Sequence, residues 1–133
     1  MENLQDTTIN CPYMTMQRLL SGKWTLLILC YLRRGALRFS ELMRYMPTLT
    51  QATLTKQLRK LENDDLIKRT IYPEVPPRVE YELTETGKEL LPVLDTLGQF
   101  GMKYLSTHLN IKPEEICSDA GTMDCRCHAI KTK

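Results

Sequence analysis

The chain has 133 residues, a net charge of +2 and 42% hydrophobic residues, which suits one compact domain with a modest core. No apolar run approaches the roughly 18 residues of a membrane-spanning helix, and the N-terminus lacks the order of a secretory signal peptide. These features predict a cytoplasmic protein without a membrane partner.

The charge is distributed unevenly along the chain. Between Gln17 and Lys60 there are nine Lys or Arg residues and one acid, Glu41, whereas the chain from Leu61 onward has nine basic and thirteen acidic residues. If the first group shares one face, its field attracts a polyanion; otherwise it is an ordinary solvated surface.

The N-terminal part predicts two short helices. Residues 1–10 are polar and are expected to be a flexible N-terminus. A first helix is predicted over 13–20 and a second from Trp24, where apolar residues recur at the spacing of one helix face. Gly35 is a suitable end for the second helix. A very short strand is predicted at 36–39, followed by a third helix that Ser40 caps and that ends before Pro47.

The fourth predicted helix has two contrasting faces. Thr50 is a good N-cap, and Leu49 and Leu54 stand in the relation of a hydrophobic staple. Leu54, Leu58 and Leu61 form one buried stripe. The opposite face is polar and basic, and it comprises Ala52, Thr53, Thr55, Lys56, Arg59 and Lys60. We expect that face to contact a partner.

The remaining elements are a hairpin and a long helix. Strands are predicted over 67–72 and 78–84, which are rich in β-branched and aromatic residues, with a protruding proline-rich loop between them. Thr84 is expected to cap a long helix through Tyr104, kinked at Pro92. This order is typical of the winged helix-turn-helix, a mainly α fold with a small β-hairpin (α+β), whose fourth helix here would enter the major groove of DNA.

Five short motifs, in order, resemble a known family. They are Gly22-Lys23-Trp24-Thr25, Arg38-Phe39-Ser40-Glu41-Leu42, Leu54-Thr55 through Leu58-Arg59-Lys60-Leu61-Glu62, Arg78-Val79-Glu80-Tyr81, and Leu83-Thr84-x-x-Gly87. Together they resemble the HxlR-type bacterial winged-helix regulators, a MarR-related group. The resemblance covers Cys11 to Leu105. It implies a domain at 11–107 before a C-terminal tail at 108–133, a homodimer held by the N-terminal and long C-terminal helices, and a pseudo-palindromic operator in double-stranded DNA.

The resemblance also implies DNA-contacting residues. It aligns the start of the fourth helix with the part expected in the groove, and it aligns Arg78 with a wing arginine at phosphate or in the minor groove. Lys23, Lys68 and Arg69 are candidate phosphate contacts because of their charge. The predicted contacts on the fourth helix are Thr50, Gln51, Thr53, Thr55, Lys56 and Arg59.

The chain departs from the family pattern at two positions. Asp64-Asp65 stands where Asp-Gly is usual, so Asp65 is expected to adopt a left-handed turn, which Asp tolerates better than most residues. Phe100 stands where the family usually has Trp, a change that affects the expected dimer packing.

Cys11 lies just ahead of the first predicted helix. Several members of the resembled family respond to oxidants or electrophiles through a cysteine at this position, which implies the same role here. The positive end of a helix also favours the thiolate, the reactive form of the side chain. The alternative is an ordinary reduced thiol at the edge of the core. Cys30, on the apolar second helix, is expected to be a core residue.

The tail contains further candidate ligands, namely Cys117, Cys125, Cys127 and His128. Thiolate and imidazole suit zinc, but Cys-x-Cys-His is tighter than the usual spacing of a zinc site. Disulfide exchange within the tail and plain reduced thiols are the other interpretations. We therefore assign no metal and no cofactor.

The predicted function is sequence-specific transcriptional regulation, with repression by occlusion. An enzyme is disfavoured, because the chain has no Gly-rich phosphate loop and no catalytic pattern around its histidines. A winged-helix protein-interaction module is one alternative. Another is a MarR-like regulator that binds a small aromatic ligand in a pocket at the dimer interface. The residues for such a pocket are Tyr13, Trp24, Tyr31 and Tyr104, which at helical spacing also suit a plain core.

Overall fold

Residues 10–112 are described by the computed structural model, in which helices surround a small sheet. The helices are α1 (Pro12–Leu19), α2 (Thr25–Tyr31), α3 (Phe39–Tyr45), α4 (Gln51–Asn63), α5 (Glu85–Glu89) and α6 (Leu91–His108), and the strands are β1 (Leu37–Arg38), β2 (Ile67–Tyr72) and β3 (Arg78–Leu83). A 3-10 turn (Leu32–Arg34) extends α2. The predicted order of elements is confirmed.

Two backbone predictions at the ends of helices are confirmed. Gly35 follows the 3-10 turn with a φ of 148°, a conformation that favours glycine. Asp65 has a φ of 60°, the left-handed turn expected where the family has glycine. The turn lets Leu66 enter the core directly after α4.

The predicted cap of α3 is wrong. The helix begins at Phe39, so Ser40 lies within its first turn, and Arg38 is the N-cap residue. The backbone N–H of Arg38 donates to Oε1 of Glu41 at 2.9 Å. The Glu41 carboxylate therefore satisfies a backbone donor at the start of the helix, which is one half of a capping box.

The predicted long C-terminal helix is confirmed as α6, but its predicted start at Thr84 is wrong, because a separate short helix, α5, precedes it and the two are divided at Leu90. Thr84 does cap the first segment, since its Oγ1 accepts from the backbone N–H of Gly87 at 3.0 Å. Pro92 lies in the first turn of α6. Backbone N–H groups in a first turn make no hydrogen bond within the helix, so the N–H that proline lacks is not needed there. The break at Leu90 therefore precedes the proline, which lies at the start of α6 and not within a longer helix.

The sheet is antiparallel with the order β1-β3-β2. β2 and β3 form a hairpin that pairs Ile67 with Leu83 at its base and Tyr72 with Arg78 near its tip. The connecting loop at 73–77 is exposed throughout, as predicted for a protruding wing.

The core lies between α2, α4, the base of the hairpin and the start of α6. The predicted stripe of Leu54, Leu58 and Leu61 is buried, and so is Cys30. Tight packing of this stripe leaves the opposite face of α4 to solvent. None of the helices between residues 10 and 112 is long and apolar enough to cross a bilayer.

Candidate nucleic-acid interface

The first turn of α4 is held by its own threonines. Thr50 Oγ1 accepts from the backbone N–H of Thr53 at 3.1 Å, which confirms Thr50 as the N-cap. The hydroxyls of Thr50 and Thr53 are also hydrogen bonded, at 2.9 Å. Both side chains therefore help to fix where the helix begins, and Thr50 remains exposed at its tip.

The outer face of α4 presents a row of polar and basic groups. Gln51, Lys56 and Arg59 are exposed. Thr55 is half-buried, and its hydroxyl donates to the carbonyl oxygen of Gln51 at 2.8 Å. Among residues 10–112, Lys56 and Arg59 have no carboxylate within ion-pair distance. Two free cations beside an exposed amide are groups that can contact phosphates and base edges.

Lys60 was predicted to belong to this outer face, and that prediction is wrong. Its Nζ donates to the carbonyl oxygen of Leu19 on α1 at 3.1 Å and lies 3.2 Å from Oδ2 of Asp64. Nη1 of Arg18, on α1, lies 3.2 Å from Oδ1 of the same Asp64, whose side chain is only 7% exposed. We call Arg18, Lys60 and Asp64 the α1–α4 clamp, because they join α1 to the end of α4.

The Gly22-Lys23-Trp24-Thr25 turn supports the middle of α4. Gly22 has a φ of 105°, and a Cβ there would lie 2.7 Å from Oε1 of Gln57. The buried hydroxyl of Thr25 lies 2.6 Å from the carbonyl oxygen of Ser21 and 3.2 Å from Oε1 of Gln57. This supporting role of Gln57 was not predicted, because it depends on a contact between distant parts of the chain.

The predicted wing arginine, Arg78, has several partners within the hairpin. Its Nη2 lies 2.9 Å from Oε2 of Glu74 and its Nη1 lies 3.6 Å from Oε2 of Glu80. The guanidinium also stacks over the ring of Tyr72, at 4.1 Å from the centroid. These contacts fix the side chain near the tip of the wing and partly neutralise its charge.

The two other predicted wing cations are paired as well. Lys68 Nζ lies 2.8 Å from Oε1 of Glu82, and this hydrogen bond, together with the nearby negative charge, raises the pKa of Lys68 above its usual value. Arg69 Nε lies 3.9 Å from Oε2 of Glu62, on α4. Each of these side chains is about half exposed, so a phosphate can compete for it with the carboxylate.

The remaining bases of the N-terminal block differ in how they are paired. Lys23 is exposed, with its Nζ 5.3 Å from the centroid of the Trp24 ring. Arg33 Nη2 lies 2.7 Å from Oδ1 of Asp95, on α6. With Arg18 and Lys60 paired inside the clamp, the bases of α4 left unpaired within residues 10–112 are Lys56 and Arg59, and Arg38 and Arg44 are further exposed bases of this block.

The two cysteines that the structure describes differ as predicted. Cys11 is exposed at the N-cap of α1, and its carbonyl oxygen accepts from the backbone N–H of Thr15 at 3.0 Å. Cys30 is buried. Cys117, Cys125, Cys127 and His128, the low-priority metal candidates, lie outside the described residues. Across residues 10–112, no group of three or more His, Cys, Asp or Glu side chains is placed to hold a metal ion.

The four aromatic residues considered for a pocket at the dimer interface differ in their burial within one copy of the chain. Trp24 and Tyr31 are buried core residues, whereas Tyr13 is 85% exposed on α1. Tyr104 stacks on His108 with ring centroids 4.5 Å apart. The core interpretation is confirmed for Trp24 and Tyr31.

The exposed face of α6 is apolar. Val93, Leu97, Phe100 and Tyr104 follow the spacing of one helix face, and each is more than 40% exposed. Phe100, at the position where the family usually has Trp, is 66% exposed. Such a row of large apolar side chains on a surface helix is characteristic of an interaction surface.

Two helices at a tight turn, followed by a hairpin with a protruding tip, define the fold as a winged helix-turn-helix. The family model for HxlR-like helix-turn-helix proteins matches residues 19–109. The chain therefore belongs to this family, and the resemblance noted from its motifs is confirmed.

Similar proteins agree with this assignment. An uncharacterised HTH-type transcriptional regulator of Methanothermobacter thermautotrophicus is 47% identical over 109 residues, which cover 82% of this chain and 83% of that protein. The redox regulator HypR in its reduced form has a TM-score of 0.72 at 35% identity, covering 76% of this chain and 100% of the HypR chain. The reduced transcriptional regulator YodB from B. subtilis has a TM-score of 0.61 at 32% identity, covering 74% and 94%. The chain is thus a transcriptional regulator of the helix-turn-helix type with a DNA-binding fold.

Proposed function

We propose that this protein is a homodimeric repressor that binds a pseudo-palindromic operator through α4 and releases it when Cys11 is oxidised. The observation that carries the proposal is the unpaired basic face of α4, with Lys56 and Arg59 free among the residues that the structure describes. On this proposal the protein acts in the cytoplasm as a regulator without catalytic activity of its own.

The DNA contacts are divided between base edges and phosphates. Gln51 and the threonines at the start of α4 carry amide and hydroxyl groups suited to base edges, and they lie at the end of the helix that enters the groove. Lys56 and Arg59 follow on the same face and suit phosphates, as does the exposed Lys23. Lys68, Arg69 and Arg78 on the wing are additional phosphate contacts, made by exchanging a carboxylate for a phosphate.

The dimer is proposed to form through the apolar face of α6 together with α1. The support is the row of exposed apolar side chains on α6 and the exposed Tyr13 on α1. Burying these groups against a second copy removes them from water. A two-fold dimer presents two copies of α4 to successive turns of DNA, and a small dimer bound there represses by occluding the promoter.

The proposed signal is oxidation of the exposed Cys11. A two-electron oxidant such as diamide takes two electrons and two protons from Cys11 and a second thiol, here proposed to be Cys11 of the partner subunit, and the disulfide that forms changes the group that begins α1. The α1–α4 clamp then connects the change to DNA binding, because Arg18 on α1 and Lys60 on α4 share Asp64. The similarity to HypR, a redox regulator, supports this part of the proposal.

A fluorescence-anisotropy titration tests the proposal. Reduced protein is titrated onto duplex DNA from upstream of its own gene, with scrambled duplex as competitor, and light scattering gives the molar mass of the free protein. We expect a dimer that binds tightly and resists the competitor. Specific binding by a monomer, or no specific binding to any fragment of the genome, contradicts the proposal.

The redox part is tested by repeating the titration after mild diamide treatment. We expect oxidant to weaken binding by the native protein and to have no effect on Cys11→Ser, because the variant lacks the reacting sulfur. Cys30→Ser is the matched control: its sulfur is buried, so it keeps the response. A full response in Cys11→Ser excludes Cys11 as the sensor, and specific binding that ignores oxidant in the native protein points to another signal.

A further inference from the structure

A cleft lies between α1 and α4, and part of the outer face of α4 lines it. Its volume is about 580 Å³, within the range of sites for small molecules. Its walls include Met14, Gln17 and Arg18 from α1, and Lys56, Arg59 and Lys60 from α4. We propose that this cleft binds a small organic anion with an apolar body, and that such an anion competes with DNA.

The charge of the lining favours an anion. Four of the lining side chains are basic, and Asp64 is the acid among them. Asp64 is already neutralised by Arg18 and Lys60 within the α1–α4 clamp. Lys56 and Arg59 therefore face the cleft without a carboxylate partner among residues 10–112, and a carboxylate or sulfonate can pair with both.

One buried donor of the lining residue Arg18 has no acceptor within residues 10–112. Nε of Arg18 is buried and makes no hydrogen bond within the described part of the chain, although Nη1 of the same side chain binds Asp64. A buried donor without an acceptor is unfavourable, so a small movement of the Arg18 side chain toward a bound anion costs little at this atom.

The lining also limits the size and shape of the ligand. Met14 is about half exposed, and its thioether, with the methylene groups of the Lys and Arg side chains, offers apolar surface. A ring system or short chain fits a volume of about 580 Å³ beside such groups. A small inorganic ion matches the charge of the cleft but leaves its apolar surface uncovered.

Competition with DNA follows from two features, and this step depends on the proposed function. Lys56 and Arg59 belong both to the cleft and to the proposed DNA-binding face, so an anion that pairs with them removes two phosphate contacts. The α1–α4 clamp also borders the cleft. A ligand between α1 and α4 therefore lies next to the hydrogen bond from Lys60 to the Leu19 carbonyl oxygen, which holds the two helices together.

The direct test is a fluorescence titration of the full chain with 1-anilinonaphthalene-8-sulfonate, without DNA. Gln17→Trp fills the cleft and keeps every charge, whereas Arg59→Gln removes one unpaired cation. We expect each variant to bind the probe about tenfold more weakly than the native protein. Lys88→Gln, the same kind of charge loss on the exposed surface of α5, should bind it normally.

The same titration has two chemical controls. The uncharged counterpart N-phenyl-1-naphthylamine should bind about tenfold more weakly than the sulfonate, and inorganic phosphate at equal concentration should not displace the sulfonate. Unchanged affinity in both Gln17→Trp and Arg59→Gln would place the probe elsewhere, such as the apolar face of α6, and would overturn the proposal. If Gln17→Trp does not fold, Arg59→Gln decides by itself.

The competition is measured separately on operator DNA. Saturating probe should raise the apparent Kd for DNA about tenfold in the native protein and leave it unchanged in Gln17→Trp. Probe binding without this effect overturns the competition, whereas a protein that binds the probe but no DNA at all contradicts the proposed function and leaves the cleft as a binding site.

Discussion

The outer face of α4 and the wing both contain basic residues, but their electrostatic situations differ. Lys56 and Arg59 on α4 have no acidic partner among residues 10–112, whereas Lys68, Arg69 and Arg78 on the wing each lie within 4 Å of a carboxylate oxygen. An unpaired base can replace a counterion on DNA directly, but a paired base must first give up its carboxylate. We infer that α4 supplies most of the affinity and that the wing adjusts it.

The largest expected effect comes from removing both free cations of α4. The double variant Lys56→Ala, Arg59→Ala should bind operator DNA about 100-fold more weakly at low salt and should lower the salt slope by roughly two, because two phosphate contacts are lost. The measurement is anisotropy at several salt concentrations, with Lys88→Ala as control. An unchanged slope would remove α4 from the interface.

A matched pair on the same helix sharpens the comparison. Lys60→Ala should lower the free energy of unfolding by about 1–2 kcal/mol, since Asp64 loses one of its two partners and the Leu19 carbonyl loses its donor. Its salt slope for DNA should stay native, whereas Lys56→Ala, one turn earlier, should lower the slope and leave stability unchanged. Urea denaturation and the salt series measure the two quantities. The reverse pattern would place Lys60 in the DNA interface after all.

Two substitutions of Thr50 distinguish its role in stability from its role in DNA binding. Thr50→Ala should cost about 1 kcal/mol of stability because the N-cap is lost. Thr50→Asp keeps a capping oxygen but adds a negative charge beside the DNA, so it should retain stability and weaken DNA binding. Thermal unfolding and anisotropy distinguish the outcomes. Native affinity in Thr50→Asp would mean that DNA does not approach this end of the helix.

The smallest expected effect is a gain of affinity at the wing. Glu82→Gln frees Lys68 from its ion pair and should strengthen DNA binding about threefold, as expected for a surface pair worth less than about 1 kcal/mol. Glu89→Gln, an equal charge change on α5, is the control for general electrostatics. If both variants bind alike, Lys68 does not contact DNA and the wing is less important than proposed.

Much of the architecture could be predicted because its signals are local. The buried stripe of α4, the cap at Thr50 and the left-handed turn at Asp65 all depend on residues within a few positions of each other. The two errors in the architecture, at the cap of α3 and at the start of α6, arose where neighbouring residues carry similar sequence signals. Ser40 and Glu41 are both good residues at the start of a helix, and the side chain of Glu41 reached the free N–H. Likewise, the break at Leu90 and the kink expected at Pro92 are both compatible with the same sequence.

The site was only partly predictable for a different reason. Helical periodicity placed Lys56 and Arg59 correctly on the exposed face, but it placed Lys60 there as well. The actual position of Lys60 depends on α1, whose Leu19 carbonyl and Arg18 lie 41 and 46 residues from their respective partners. Contacts across that distance follow from how the helices pack, which periodicity within one helix cannot reveal.

By itself, the sequence determined the order of elements, the family and the basic character of α4, because propensity, capping and hydrophobic spacing act between near neighbours in the chain. The tertiary structure alone decided which bases are free and which are paired, and it formed the cleft between α1 and α4. The physical reason is that the pairing of a charged side chain depends on the distance to a carboxylate or carbonyl oxygen, and folding sets that distance by packing elements that are far apart in the chain.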